Sequence, residues 1–240
     1  MIALVDGDIV CYRCACSCED IPTLAELAAM GKDIDDREAL IVYEPIEVAF
    51  KRVDELMEKI ALETKSNRYE AFLSGEHDFR LLVNPDYKAN RKDTRRPRYL
   101  QQVREYLVTE WNAKVTDGIE ADDALGIYQT NYMKDGHESV ICTIDKDLQQ
   151  IAGWNYNFVT SILKYISPLE GKQAFWRSML IGDKTDNIIG VEGIGEKKSA
   201  KLINHLTTDE EMYQVVYELY NNHERFQMNF RCLTILTEEL

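Results

Sequence analysis

Short apolar runs alternate with helical stripes along most of the chain. Ile2–Val5 is an unbroken apolar run that ends at Asp6, which predicts a short buried strand. Cys11, Cys14 and Cys18 then recur at i, i+3 and i+7, one face of a helix. Ile46, Ala49, Val53, Leu56, Met57 and Ile60 form a stripe of period 3.6, predicting an amphipathic helix over 46–64. Tyr69–Leu73 reads as a second strand. Leu100, Val103, Leu107 and Trp111 mark a helix that starts after Pro97. A short strand over Ala113–Thr116, a helix over Ala121–Met133, a buried strand over Ser139–Ile144 and a strand over Tyr156–Val159 follow. Residues 19–45, with Asp33, Asp35, Asp36 and Glu38, read as an acidic surface excursion.

Strands that alternate with helices predict an α/β fold with a mainly parallel central sheet flanked by helices. From about residue 171 the pattern turns helical: Ala174–Ile181, then GDKTDN, a glycine-rich turn and two amphipathic segments. The expected organisation is one structural unit. Residues 1–165 form the α/β core, with a basic segment over 85–110, and residues 166–240 form a helical region with a turn motif over 183–205.

Composition narrows the class. The 45% hydrophobic content supports one sizeable core, and no apolar run approaches the roughly 20 residues of a membrane span. The opening MIALVDGD reads as a first strand, not a signal peptide. Four of the six cysteines lie in CYRCACSC, whose spacing matches neither a zinc nor an iron–sulfur site. They read as small buried apolar groups in a reducing intracellular compartment. The net charge is −14, yet Lys88–Arg104 alone carries +6 against −20 for the rest. Such asymmetry within one chain is a partner signal.

Nine acids recur in four clusters: Asp6/Asp8, Glu120/Asp122/Asp123, Asp145/Asp147 and Asp183/Asp186. Carboxylates at the ends of parallel strands converge on one crevice. Glu120, Asp122 and Asp123 exceed what capping a helix requires. TIDKDLQQI lacks the glycine and glutamate of a calcium loop, and Asp183 and Asp186 share a face if helical. So many acids at one site call for divalent cations and a substrate that tolerates them, such as a phosphodiester.

Two basic features complete the pattern. In PDYKANRKDTRRPRYL, Lys88 and Arg91 lie three apart, with Arg80 upstream and Arg95 and Arg96 beyond, and Tyr87 offers a ring for base stacking. The turn GVEGIGEKKSAKLI is not a Walker loop, because Glu196 stands where a lysine should. Gly193 and Gly195 open a helix carrying Lys197, Lys198, Ser199 and Lys201, an arrangement that suits phosphates.

LVDGD, FR…PDYKANR, GIEADDA, TIDKDLQQI and GDKTDNIIGVEGIGEKKSAKLI resemble, in order, the motifs of the flap-endonuclease-type 5′-nucleases. That family includes the 5′-nuclease domain of DNA polymerase I and small bacteriophage 5′→3′ exonucleases. The resemblance covers roughly residues 2–205 and implies a PIN/FEN-like fold with a C-terminal helix–three-turn–helix. It implies metal-dependent hydrolysis of phosphodiester bonds at 5′ ends of DNA, at flaps or nicks, and on RNA–DNA hybrids. Two Mg²⁺ or Mn²⁺ ions are implied. Asp6, Glu120 and Asp122 would hold the first, with Asp123 nearby; Asp145, Asp147, Asp183 and Asp186 would bind or support the second. Lys88 and Arg91 match the catalytic basic pair of the arch. Gly190–Lys201 matches the duplex-binding motif, with K⁺ at its backbone carbonyls. A monomer in the cytoplasm, the host's if a phage encodes the chain, completes the expectation. Two departures stand out: Asp8 matches no ligand, and Ser74 stands where relatives often carry an aspartate. A PIN-type ribonuclease and a DNA-binding protein with impaired catalysis are the competing readings. The glycine turn argues against the first and the retained acids against the second.

Overall fold

The Ile2–Val5 run becomes the inner strand of the sheet in a computed structural model of the chain, which describes residues 1–92 and 94–239. In chain order the elements are β1 (Ile2–Asp6), α1 (Gly7–Ser17), β2 (Glu19–Asp20), α2 (Leu24–Ala29), β3 (Val42–Tyr43), α3 (Ile46–Thr64), β4 (Arg68–Leu73), α4 (Arg80–Val83), α5 (Leu100–Trp111) and β5 (Lys114–Val115). There follow α6 (Ala121–Lys134), β6 (Ser139–Cys142), β7 (Gly153–Asn157), β8 (Ile162–Ile166), α7 (Pro168–Ile181), β9 (Gly182–Asp183), β10 (Ile188–Ile189), α8 (Glu196–Ile203), α9 (Asp209–Tyr220) and α10 (His223–Leu233). The main sheet runs β5-β4-β1-β6-β7-β8. Every pairing in it is parallel except β7 with β8.

The two-residue period of the strands sorts side chains between two cores. Ala3, Val5, Ala71, Leu73, Val140 and Cys142 face α1, α3 and α5. Leu4, Phe72 and Ile141 face α6. Buried on both sides, these strands read as continuous apolar runs. Cys11, Cys14 and Cys18 sit in the first core as small apolar groups. The 46–64 stripe forms α3, whose Val53, Met57 and Ile60 bury fully; each contributes about 1.5–3 kcal/mol. A separate apolar cluster around Trp176, Met179, Ile203, Val216 and Phe226 holds the helices from α7 onward. Among the described residues no helix is long and apolar enough to cross a membrane.

The structure departs from the pattern in five places. The strand expected at Tyr156–Val159 starts earlier, at Gly153, whose φ of 122° suits glycine alone. Its partner β8 carries four exposed residues and so shows no apolar alternation. The excursion over 19–45 contains α2, two 3₁₀ turns and the β2–β3 pair. The Lys88–Arg91 segment is a single 3₁₀ turn, entered through Lys88 with φ 56°. Asp183 and Asp186 lie on β9 and its turn, not on a helix.

Candidate active site

Four places in the fold supply carboxylates near the carboxyl edge of the main sheet: β1, the start of α6, the segment after β6, and β9 with its turn. Asp6 ends β1 and caps α1, accepting from Ile9 N at 3.1 Å, while Thr143 Oγ1 donates to its other oxygen at 2.7 Å. Glu120 caps α6, and Asp122 stands in its first turn. Asp145 and Asp147 follow β6, with Asp147 N donating to Asp145 at 2.8 Å. Asp183 accepts from Thr185 N at 2.7 Å and Asp186 N at 3.4 Å.

These acids repel one another. Burial first, then Asp8 and Asp145, push Asp6 up to about 7. Burial, then Asp6, Asp145 and Glu120, raise Asp122 well above the usual aspartate range. Burial, then Asp145 and Asp183, push Asp147 up to about 7. Asp145 is thus a shared neighbour that joins the two halves of one acidic cluster.

Cations reach in from the basic segment. Lys88 Nζ donates to Glu120 and lies 3.8 Å from Asp186, and its backbone N donates to Asp186 O at 3.0 Å. Arg91 bonds Asp186 and donates to Thr185 O at 3.0 Å. Burial alone would raise Glu120; Lys88 and Arg80 outweigh it and hold the carboxyl below its ordinary range. Burial likewise raises Asp186, against the pull of Lys88 and Arg91. Among the described residues no three Asp, Glu, His or Cys side chains converge on one point at coordination distance. The Lys88 and Arg91 side chains occupy oxygens of Glu120 and Asp186. An all-oxygen donor set of this charge suits a hard divalent ion.

Several expected site residues do other work. Asp123 is 0% exposed and both its oxygens are filled by hydrogen bonds, so it has no lone pair left for a metal. Arg80, expected at DNA, is buried with its guanidinium on Asp123. Tyr87 has no ring free to stack on a base: it is buried, and its hydroxyl lies 2.9 Å from both Glu120 and Asp186. Arg95 is half-buried against Glu19 at 2.6 Å. Ser199 is buried and donates to Glu196 O at 3.0 Å, which removes it from the surface of the turn. Arg96 stays exposed, as do Gly193, Gly195, Lys197 and Lys198 beside the start of α8.

Asp8 and Ser74, the two departures from the family pattern, have partners that the chain does not reveal. Asp8 accepts from Ser74 N at 2.9 Å and pairs with Arg104, which also donates to Ser74 O at 2.6 Å. Ser74 Oγ accepts from Ala121 N at 2.9 Å and so helps cap α6. These contacts join four elements with partners far apart in sequence. Burial, then Glu120, push Asp78 up to about 6. A groove of about 1130 Å³ that includes Ser74 is lined by Arg96, Arg98 and Arg104, by Glu76, Glu105 and Asp117, and by Leu73, Val108 and Val115.

Comparisons with known proteins bear on the family and the fold. Residues 1–177 match the model of the 5′–3′ exonuclease, N-terminal resolvase-like domain. DNA polymerase I of Caldicellulosiruptor bescii is 33% identical over 150 residues, 54% of this chain and 17% of that protein. DNA polymerase I of Bacillus subtilis is 26% identical over 204 residues, 77% of this chain and 23% of that protein. The chain thus spans about a fifth of the length of these curated relatives. The fold matches T5 D15 protein co-crystallised with metal ions, with TM-score 0.66 and 18% identity, covering 98% of this chain and 90% of that one. It also matches the bacteriophage T5 D15 flap endonuclease in complex with DNA and metal ions, with TM-score 0.68 and 17% identity, covering 98% and 89%. With the match running from the first strand through most of α7, the chain belongs to the 5′–3′ exonuclease family defined by that N-terminal resolvase-like domain.

Proposed function

We propose that this chain is a divalent-metal-dependent 5′-nuclease that hydrolyses phosphodiester bonds at 5′ ends and flaps of DNA. The observation that carries this reading is that the acids are linked: Thr143 Oγ1 donates to Asp6 and accepts from Asp145 N, and Asp147 N donates to Asp145, with Asp122 raised by Asp6 and Asp145. Asp6, Glu120, Asp122 and Asp145 would hold one Mg²⁺ or Mn²⁺, and Asp147, Asp183 and Asp186 would hold or support a second. Divalent ions bound there would supply Lewis-acid polarisation of the phosphodiester.

The chain's own groups do the rest. Lys88 and Arg91, now on Glu120 and Asp186, are placed to move onto the scissile phosphate and offset its charge. Exposed Arg96 and Arg98, at the rim of the groove, offer cations to the phosphates of an unpaired strand. Exposed Lys197 and Lys198, with the backbone N–H groups at the start of α8, suit the phosphates of flanking duplex. K⁺ at that turn, action on RNA–DNA hybrids and a monomeric state extend the same reading. The family match gives no support to a PIN-type ribonuclease or a binding-only protein.

The metal reading has a pH signature. Asp6 and Asp147 titrate at about 7 in the fold but near ~3.9 unfolded, so between these values the native state holds protons that the unfolded state has lost. Stability of metal-free protein therefore falls as pH rises through this window, and the loss is complete above about 7. Carboxyls held low, such as Glu70, Glu120 and Glu170, act only below ~4.3 and leave the window undisturbed. Melting in chelator is expected to be several degrees higher at about pH 5 than at about pH 8, with Mn²⁺ raising the melting temperature more at the higher pH. A pH-independent melting temperature with no response to Mn²⁺ would remove the metal assignment.

A further inference from the structure

Arg80 and Asp123 form a buried ion pair beneath the acidic cluster, 2% and 0% exposed. Each Asp123 oxygen accepts two hydrogen bonds. Oδ2 takes Arg80 Nη1 at 2.6 Å and Glu120 N at 3.0 Å; Oδ1 takes Arg80 Nη2 at 2.8 Å and Leu236 N at 3.0 Å. The guanidinium also donates to Cys232 O at 2.8 Å and Thr234 O at 2.7 Å. One arginine therefore ties α4, the last turn of α10 and the segment after it to the first turn of α6. One turn along α6, Gly126 lets that segment press close: a Cβ there would lie 2.3 Å from Leu236 O.

A buried ion pair is weak evidence for stability, since well-packed apolar residues often serve as well or better. What this one specifies is orientation. Adjacent residues on a helix point about 100° apart, so holding Asp123 inward determines where Asp122 points. Glu120, at the cap of the same turn, is held through its N–H. Resting on the nuclease reading of the cluster, we infer that Arg80 is a positioning residue. By saturating Asp123 it sets the rotation of the first turn of α6, and so aims Asp122 at Asp6 and Asp145 and fixes Glu120, whose carboxylate lies 3.7 Å from Arg80 Nη1, at the cap of that turn.

The test uses the full chain with Arg80→Met and Arg80→Lys. Mn²⁺ affinity is measured by calorimetry without DNA, and kcat and KM on a 5′-flap substrate at saturating Mn²⁺. Arg80→Met is expected to weaken Mn²⁺ binding at least about tenfold and lower kcat more than tenfold, with KM within about threefold. Arg80→Lys keeps the charge but not the fork, so it should regain melting temperature more fully than kcat. Should Arg80→Met not fold, Arg80→Lys decides alone: a folded variant with unchanged Mn²⁺ affinity and kcat overturns the inference. A lowered melting temperature with both quantities intact would make Arg80 merely structural. A wild-type chain that binds no Mn²⁺ sinks the metal reading and this inference together, whereas wild-type binding matched by both variants sinks the inference alone.

Discussion

Asp145→Asn is expected to lower kcat by about 10³-fold or more, equivalent to about 4 kcal/mol or more of lost transition-state stabilisation. The change is nearly isosteric and removes one charge from the carboxylate that neighbours Asp6, Asp122 and Asp147 at once. Both halves of the cluster lose a shared neighbour, so the effect should exceed that of a more peripheral acid such as Asp8. DNA affinity should stay within several-fold, because the proposed contacts to the strand come from Lys and Arg. Less repulsion should also raise the melting temperature of metal-free protein, an exchange of activity for stability. Single-turnover cleavage and thermal melting on the same preparation check both signs. Activity within about tenfold of wild type would remove Asp145 from the centre.

Lys88→Met should lower kcat by about 10²-fold, the scale for losing one charged donor aimed at developing charge. Lys88 is held in a left-handed conformation at the mouth of the cluster, with its backbone N–H on Asp186 O and its ammonium on Glu120. Burial alone would lower its pKa, but the facing Glu120 and Asp186 raise it, so the group stays charged through neutral pH. The variant also leaves those two carboxylates less compensated, so metal-free protein should melt lower, the opposite sign to Asp145→Asn. Steady-state kinetics on a 5′-flap, with melting in chelator, separates the two. A wild-type kcat would show that Lys88 serves only as a countercharge to Glu120.

The contrast between these residues and Arg80 shows what was legible in the chain. α3 and the central strands were legible because a buried face imposes a period of 3.6 or a continuous apolar run. The acidic cluster was legible because its members recur just past predicted strands, where a parallel sheet delivers them to one edge. Asp123 looked identical to Asp122 by that logic. What separates them is Arg80, 43 residues away, and a carbonyl and an N–H from the segment after α10. Tyr87 sits among basic residues, yet the fold turns it inward against Glu120 and Asp186. Ser74 likewise looked like a missing acid, whereas its hydroxyl serves the start of α6 and its backbone is held by Asp8 and Arg104. Long-range hydrogen bonding of this kind leaves no periodicity in the chain. Nor does an exposed edge strand such as β8, whose side chains face solvent and need not alternate.

Metal-dependent 5′-nuclease activity is tested most simply by a product ladder from 5′-labelled and 3′-labelled flap, nicked and blunt DNA, with Mg²⁺ and with chelator. Mg²⁺-dependent release of short products from 5′ ends and cleavage near the junction of 5′ flaps are expected, with 3′ flaps intact and no products in chelator. DNA bound but uncut in both Mg²⁺ and Mn²⁺, or cleavage that persists in chelator, would contradict it.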